Sequence, residues 1–398
     1  MRILQINANY GFGSTGLIVR DIGASIEDSD TMEAYYAFQR SNAKLNNGYR
    51  IGNVLDWKLH AILYRFFGPQ GFFSRISTYF FLKRIYRLKP DVVHLHNLHS
   101  NYINVPMLLR YLAKHDIATV ITMHDCWWFT GLCYHYIDVD CNQFISGCKK
   151  CPKRYAVTPC RLWDCSRYMW EIKKTLLLSI PRLKIIGCSQ WICNEARKGF
   201  LKSCDIDYIY NGVDTTIFSP HPTNFKDMNG LIGKTIIMGM ANKWMILENR
   251  GVIEKLSKRD DFLLMIVGCS EEQKKLLVKI ARNAYPIGFI HDREELAKLY
   301  NTADVFVNLT LADTLPTVNM ESICCGTPVV TWDSSGSPEL VHEGMGYVVK
   351  QGDIDQLEIC IDKVINEHLE VDVAKARKLY DNKENYKKYI QIYNDLRI

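Results

Sequence analysis

The chain has no run of about 18 uncharged apolar residues, so no membrane-spanning helix is expected. It has no basic segment followed by an apolar stretch near its start. Met1 to Tyr10, MRILQINANY, reads as a short strand entering a loop, and export is not expected. There is no repeat of solenoid period and no low-complexity tract, which sets aside stacked-repeat architectures. Acidic residues are slightly outnumbered, 43 against 49 Lys and Arg, giving a formal net charge of +6. That mild basicity suits phosphates, nucleic acid or anionic lipid and selects none of them. The expected location is the cytoplasm, peripheral at the inner face of the membrane.

What the 398 residues do have is 47% hydrophobic content, enough for the cores of two α/β domains. The 14 cysteines, without an export signal, read as buried small residues or metal ligands rather than a disulfide framework. Cys188, Cys193, Cys269, Cys324, Cys325 and Cys360 lie in apolar or small-residue surroundings and are expected in cores.

Strand and helix patterns alternate along the first half: strands at 3–7, 34–38, 92–96 and 118–123, helices at 15–25 and 105–114. A Cys- and aromatic-rich insertion at 126–165 interrupts them, after which a helix at 167–179 and strands at 184–188 and 208–210 resume the series. Asn211-Gly212-Val213-Asp214 and the Pro-punctuated run that follows mark a domain junction. A second alternating series runs from Thr235 to Val349, and a helical tail follows. The expected architecture is α/β, two Rossmann-like doubly wound parallel-sheet domains at 1–212 and 213–375, with a C-terminal helix at 376–398 crossing back to the first.

The richest segment is 308–330, NLTLADTLPTVNMESICCGTPVV. A β-branched strand leads into a polar loop holding Asp313, and a helix then begins near Pro316-Thr317 with Glu321 about a turn and a half inside it. A helix start offers free backbone N–H groups to an anion. In the first half, Gly11-Phe12-Gly13-Ser14-Thr15-Gly16 follows a strand and opens a helix, a place where glycine lets backbone approach phosphate or sugar. The pattern is not the G-x-G-x-x-G of a nicotinamide site. His124 ends a strand, and HLHNLH places His94 and His96 on one strand face, to touch an acceptor or line a core.

Taken in order, the Gly-rich turn, His124-Asp125, the Asn-Gly-Val-Asp junction, and Asp313 with Glu321 ahead of GTPVVTWDSSGSPELV resemble the retaining GT-B glycosyltransferases of family 4, the glycosyl transferases group 1, of surface-polysaccharide type. The resemblance covers nearly the whole chain. It implies a cleft between two domains, a UDP- or GDP-sugar donor on the second and an acceptor on the first. Glu321 then takes the ribose hydroxyls and Asp313 the sugar hydroxyls, where the family usually has Glu. The amides of Leu315, Thr317 and Val318 hold the diphosphate. Arg250 of Arg250-Gly251 stands for the family's phosphate-binding Lys-Gly, and Lys243 substitutes for its upstream Arg. His124 resembles the histidine that contacts the donor sugar, and Gly13, Ser14 and Thr15 complete the site. The implied chemistry is same-face substitution without a protein nucleophile and without an obligatory metal. Capsule, O-antigen or exopolysaccharide assembly is the implied setting. A nucleotide-sugar epimerase of the same fold is the alternative enzyme.

The insertion ends in a C-x-x-C knuckle, and Cys133, Cys141, Cys148 and Cys151 make the four thiolates of a structural zinc site, with reduced unpaired thiols the alternative. A zinc knuckle with basic residues also opens a nucleic-acid-binding or scaffold reading. The basic residues lie elsewhere, at 50–89, where eight Lys and Arg are interleaved with aromatics and no nucleic-acid reader motif accompanies them. Such a stretch fits an anionic membrane surface and a lipid-linked glycan acceptor, or a helical hairpin packing its aromatics inward. No nucleic-acid partner is expected.

Overall fold

The computed structural model describes every residue except Pro159, Arg161 and Ile398. The chain divides into two compact units, Met1–Tyr210 with Lys383–Ile398, and Asn211–Asn382. Each unit holds one parallel sheet, in keeping with the doubly wound expectation.

In the first unit the strands are β1 (Arg2–Tyr10), β2 (Glu33–Ser41), β3 (Gly48–Arg50), β4 (Val92–Leu95), β5 (Ala118–Met123), β6 (Leu183–Gly187) and β7 (Asp205–Tyr208), in the spatial order β3-β2-β1-β4-β5-β6-β7. β4 and β5 are buried at every position, which is why they read as continuous apolar runs rather than alternating ones. The order reverses between β1 and β4. The helix Asn382–Asp395 lays Tyr386, Tyr389 and Tyr393 into the core formed by Ile3, Val92, Val120 and Ile186. The three tyrosines make up its buried face.

The second unit contains β8 (Thr235–Met240), β9 (Phe262–Val267), β10 (Ala284–Ile287), β11 (Val305–Asn308), β12 (Val329–Asp333) and β13 (Gly346–Lys350), ordered β10-β9-β8-β11-β12-β13. Its core packs β-branched and aliphatic residues of β8, β9 and β11 against the helices Arg250–Leu256 and Ile354–Asn366. The order reverses between β8 and β11, so their C-terminal ends diverge and leave a crevice. The two chain crossings at the junction run side by side: Val213 N donates to Tyr380 O and Asn382 N to Val213 O. Gly212 is required there, because a Cβ would lie 2.2 Å from the Asn382 Cα.

The six cysteines assigned to cores are all buried. The stretch 50–89 is a helical hairpin, Val54–Phe67 and Arg75–Leu88, but it does not turn all its aromatics inward: Phe66, Phe67, Tyr79, Phe80 and Tyr86 are exposed.

Candidate active site

A cavity of about 340 Å³ opens where β8 and β11 diverge. Its walls come from strand ends and the loops after them: Met240 closes β8, Val267 closes β9 and Gly268 follows it, Phe289 follows β10, and Asn308 closes β11. Asn242, Lys243, Asp313, Pro316, Thr317 and Val318 complete it. The helix Thr317–Cys324 begins at this wall with no side-chain cap. Its first N–H groups have no intrahelical acceptor and carry the positive end of the helix dipole. The cavity thus joins an ammonium, a carboxylate and a helix start.

Local hydrogen bonds explain why these groups converge. Asn308 binds Asn319 Oδ1 through its Nδ2 at 2.8 Å and takes the Thr310 N–H at 3.1 Å, tying the end of β11 to the helix and shaping the loop. Asp313 accepts the Leu315 N–H at 3.2 Å, while its carbonyl accepts the Gly336 N–H at 3.0 Å. Gly336 has to be glycine, since a Cβ there would lie 1.9 Å from Thr314 O. Buried Asn249 places Lys243: its Nδ2 donates to Lys243 O at 2.8 Å and to Leu309 O at 2.7 Å, and its Oδ1 accepts the Trp332 indole at 3.3 Å. Trp244 anchors the same turn by donating to Val307 O at 2.9 Å, lying over Gly239, where a side chain would collide.

Four of the expected residues, Lys243, Asp313, Thr317 and Val318, therefore share one cavity. Leu315 does not serve as expected. Its amide is taken by the Asp313 carboxylate and its side chain is buried, so it positions Asp313. Arg250 is not brought to this cavity. It lines a separate recess of about 190 Å³ with Trp244, Met245 and Leu247, and its Nε binds Glu254 Oε1 at 3.0 Å, an exposed pair one helical turn apart. Glu321 stands deeper along the helix, half-buried, and accepts the Tyr300 hydroxyl at 3.1 Å. Burial raises its pKa above the ordinary carboxylate range, partly countered by Tyr300 and Arg293. Sequence reasoning missed Asn249, Asn308, Phe289 and Gly336. The one available signal was position: Asn249 directly precedes Arg250-Gly251, and Gly336 lies in the GTPVVTWDSSGSPELV segment.

In the first unit the Gly-rich turn takes the conformation its glycines allow, with φ of +76° at Gly11 and +67° at Gly13, and the helix Ser14–Glu27 begins directly after it. Asn7 Nδ2 reaches Thr15 Oγ1 at 3.4 Å and so ties the helix start to β1. His124 is buried just past β5. Its ring stacks on His96 at 5.4 Å, with Nε2 3.1 Å from His96 Nδ1. Burial pushes its pKa down to about 4 against the opposing pull of Asp125, which keeps the imidazole neutral near pH 7. His94 and His96 are core residues, fully buried and lowered by burial. His94 sits between the Tyr393 hydroxyl and Thr122, each at 2.7 Å, and His96 reaches Gln5 Oε1 at 3.2 Å. His99 instead binds Asp125 through its Nε2 at 2.7 Å. Burial would raise Asp125, but His99 and the Trp127 amide hold it below the usual carboxylate range.

Cys133, Cys141, Cys148 and Cys151 do come together, around a void of about 10 Å³. The expectation of zinc is nevertheless not supported. Among the described residues no group of three or more His, Cys, Asp or Glu side chains is placed to hold a metal ion. Cys133 and Cys151 face each other at 3.8 Å, and Cys148 accepts the Gly131 N–H at 3.1 Å. A buried lysine staples the insertion instead: Lys173 donates to Trp127 O and to Gly131 O, and lies 4.0 Å from the centre of the Trp127 ring. Burial lowers its pKa to about 7. Trp128, Phe129 and Phe144 are buried with it, so packing supplies the order first assigned to a metal.

Comparison with known proteins defines the class. Residues 46–217 match the Glycosyltransferase Family 4 domain and residues 251–386 the Glycosyl transferases group 1 domain. The chain is a glycosyltransferase of GT-B type. Among its relatives is the Escherichia coli protein WcaC, named as a glycosyl transferase of colanic acid biosynthesis, 24% identical over 329 residues that cover 77% of each chain. The fold is shared with sucrose-phosphate synthase from Thermosynechococcus elongatus, at TM-score 0.70 and 16% identity over 99% of this chain and 98% of that one. It is shared also with Anabaena HepE in complex with UDP-glucose, at TM-score 0.65 and 14% identity over 99% of this chain and all of the other.

Proposed function

We propose that the protein is a retaining glycosyltransferase that moves a hexose from a UDP- or GDP-sugar to a lipid-linked glycan acceptor during assembly of a bacterial surface polysaccharide. The observation that carries this reading is the single cavity joining Lys243, Asp313 and the start of the helix Thr317–Cys324. Lys243 and the amides of Thr317 and Val318 supply positive charge for a diphosphate, which stabilises it most as it departs. Asp313, held by Leu315 and Gly336, accepts hydrogen bonds from sugar hydroxyls, and Glu321, oriented by Tyr300, accepts those of the ribose. The exposed ring of Phe289 at the cavity wall offers a face for the base. Neutral His124, with Gly13, Ser14 and Thr15, is assigned to the first unit's part in holding sugar and acceptor. WcaC's name supports the surface-polysaccharide setting, and the HepE complex supports a nucleotide-sugar donor.

Same-face substitution needs positioning and stabilisation of the leaving diphosphate rather than a protein nucleophile. The oxygen that takes the acceptor proton then belongs to the donor phosphate. A panel of UDP- and GDP-sugars, scored by thermal shift and by transfer with the anomeric configuration of the product read by NMR, tests the reading. It requires a shift with at least one donor, loss of that shift in Lys243→Ala, and retained configuration. An acceptor-independent change in the sugar would make the protein an epimerase. Steeply salt-dependent RNA or DNA binding without any nucleotide-sugar shift would contradict both.

A further inference from the structure

The helix Val54–Phe67 buries only His60. Its apolar residues Leu55, Leu59, Ile62 and Phe66 recur on one helical face, and all are exposed, from 48% at Ile62 to 75% at Leu55. A helix of this pattern ordinarily turns the stripe toward a core. This one turns it outward. The following helix, Arg75–Leu88, packs Thr78, Phe81 and Ile85 inward and leaves Ile76, Tyr79 and Phe80 at 74%, 50% and 56% exposure.

Cations border this face. Lys58, Arg65, Arg75, Lys83, Arg84 and Arg87 are all exposed, while the only acid between Arg50 and Lys89 is Asp56, which accepts the Ser74 hydroxyl at 2.7 Å. The Lys83 ammonium lies 4.6 Å from the Tyr79 ring centre and 5.9 Å from that of Phe80, so charge and apolar surface are interleaved at the scale of single side chains. The face continues onto the Cys-rich insertion. Trp163 donates its indole N–H to Phe67 O at 2.9 Å, sets its ring 6.0 Å from that of Phe67, and remains half-exposed, with Leu162 exposed next to it.

We propose that the outward face of the hairpin 54–88, extended by Leu162 and Trp163, docks on an anionic lipid bilayer at the level of its headgroups. Apolar side chains at that depth leave water, Lys and Arg stems reach up to anionic headgroups, and a Trp with one polar edge suits the boundary. A second copy of this chain fits poorly, because it would set the same cations against each other. The inference goes beyond the transferase reading and stands without it, since no residue of the donor cavity takes part.

Flotation of the full chain with phosphatidylcholine vesicles, with and without phosphatidylglycerol, tests it. Binding is expected only with phosphatidylglycerol and is weakened by salt. Lys83→Gln with Arg84→Gln is expected to lower the partition coefficient about thirtyfold, about fivefold per basic residue. Phe66→Ser with Phe80→Ser removes the part of binding that survives salt. Both double variants keep the wild-type melting temperature and the wild-type shift with nucleotide sugars. Equal flotation of variants and wild type overturns the proposal, as does absence of flotation at every phosphatidylglycerol content. So does a wild-type dimer that ignores vesicles and that Phe66→Ser with Phe80→Ser dissociates, which would make the face an interface between copies.

Discussion

The two sheets reverse strand order at corresponding places, between β1 and β4 and between β8 and β11, yet they use the polar side chains there in opposite ways. Around β4 and β5 those side chains bind one another: His94 to Thr122 and Tyr393, His96 to His124 and Gln5. Around β8 and β11, Lys243 and Asp313 line open space. The difference follows from what covers each sheet. The helix Asn382–Asp395 brings the Tyr389 and Tyr393 hydroxyls onto β4 and β5, and His94 and Thr122, which take them as partners, become structure rather than site. In the second unit Asn249, Asn308 and Gly336 do the structural work, leaving the charged groups beside them available.

Substitutions that collapse the open edge break this contrast most strongly. Gly336→Ala forces a Cβ into Thr314 O and is expected to cost about 3 kcal/mol by chemical denaturation, with loss of donor binding as the Asp313 loop shifts. Lys243→Ala should weaken donor binding by about 2 kcal/mol, measured by calorimetry, with the melting temperature unchanged, because it removes a charge-assisted contact and nothing else. Asn249→Ala should cost about 2 kcal/mol of stability by leaving the Lys243 and Leu309 carbonyls and the Trp332 indole without this partner, and should raise KM for the donor.

The closed edge is tested by pH. His124 falls from an ordinary value of 6.5 to about 4 on folding, and His94 and His96 lie well below 6.5. A depressed pKa means that the unfolded chain binds the proton first. The stabilisation is therefore complete above pH 6.5 and is lost as pH falls toward 4. Melting temperatures should drop across that window, and less steeply in His124→Asn. The smallest effect is expected from Arg250→Ala, at most about 0.5 kcal/mol in stability, with donor affinity unchanged, since its exposed pair with Glu254 is screened.

Much of this was legible in the residues. The strand 118–123 and the helix 105–114 have the bounds their periodicity gives, because buried parallel strands and capped helices carry strong local patterns. Asp313, Thr317 and Val318 could be placed because strand, loop and helix start are contiguous in sequence. Arg250 could not: a motif position says which residue follows a glycine, not whether its side chain turns to the cavity or to Glu254. Asn249 works through Leu309 and Trp332, 60 and 83 residues away, and Gly336 through Asp313 and Thr314 of a different loop, and no local pattern carries such partners. The four cysteines had the composition of a zinc site, but the Lys173 side chain that orders their surroundings comes from a helix outside the cluster, Ser166–Leu177.

Hydrogen exchange of the full chain with and without a saturating nucleotide sugar tests the central claim most directly. The account predicts slowed exchange of amides at 240–243, 267–268 and 315–319, the segments that wall the cavity, and loss of that protection in Lys243→Ala. Binding without protection of these segments, or protection centred on Arg250 and unaffected by Lys243→Ala, would contradict it.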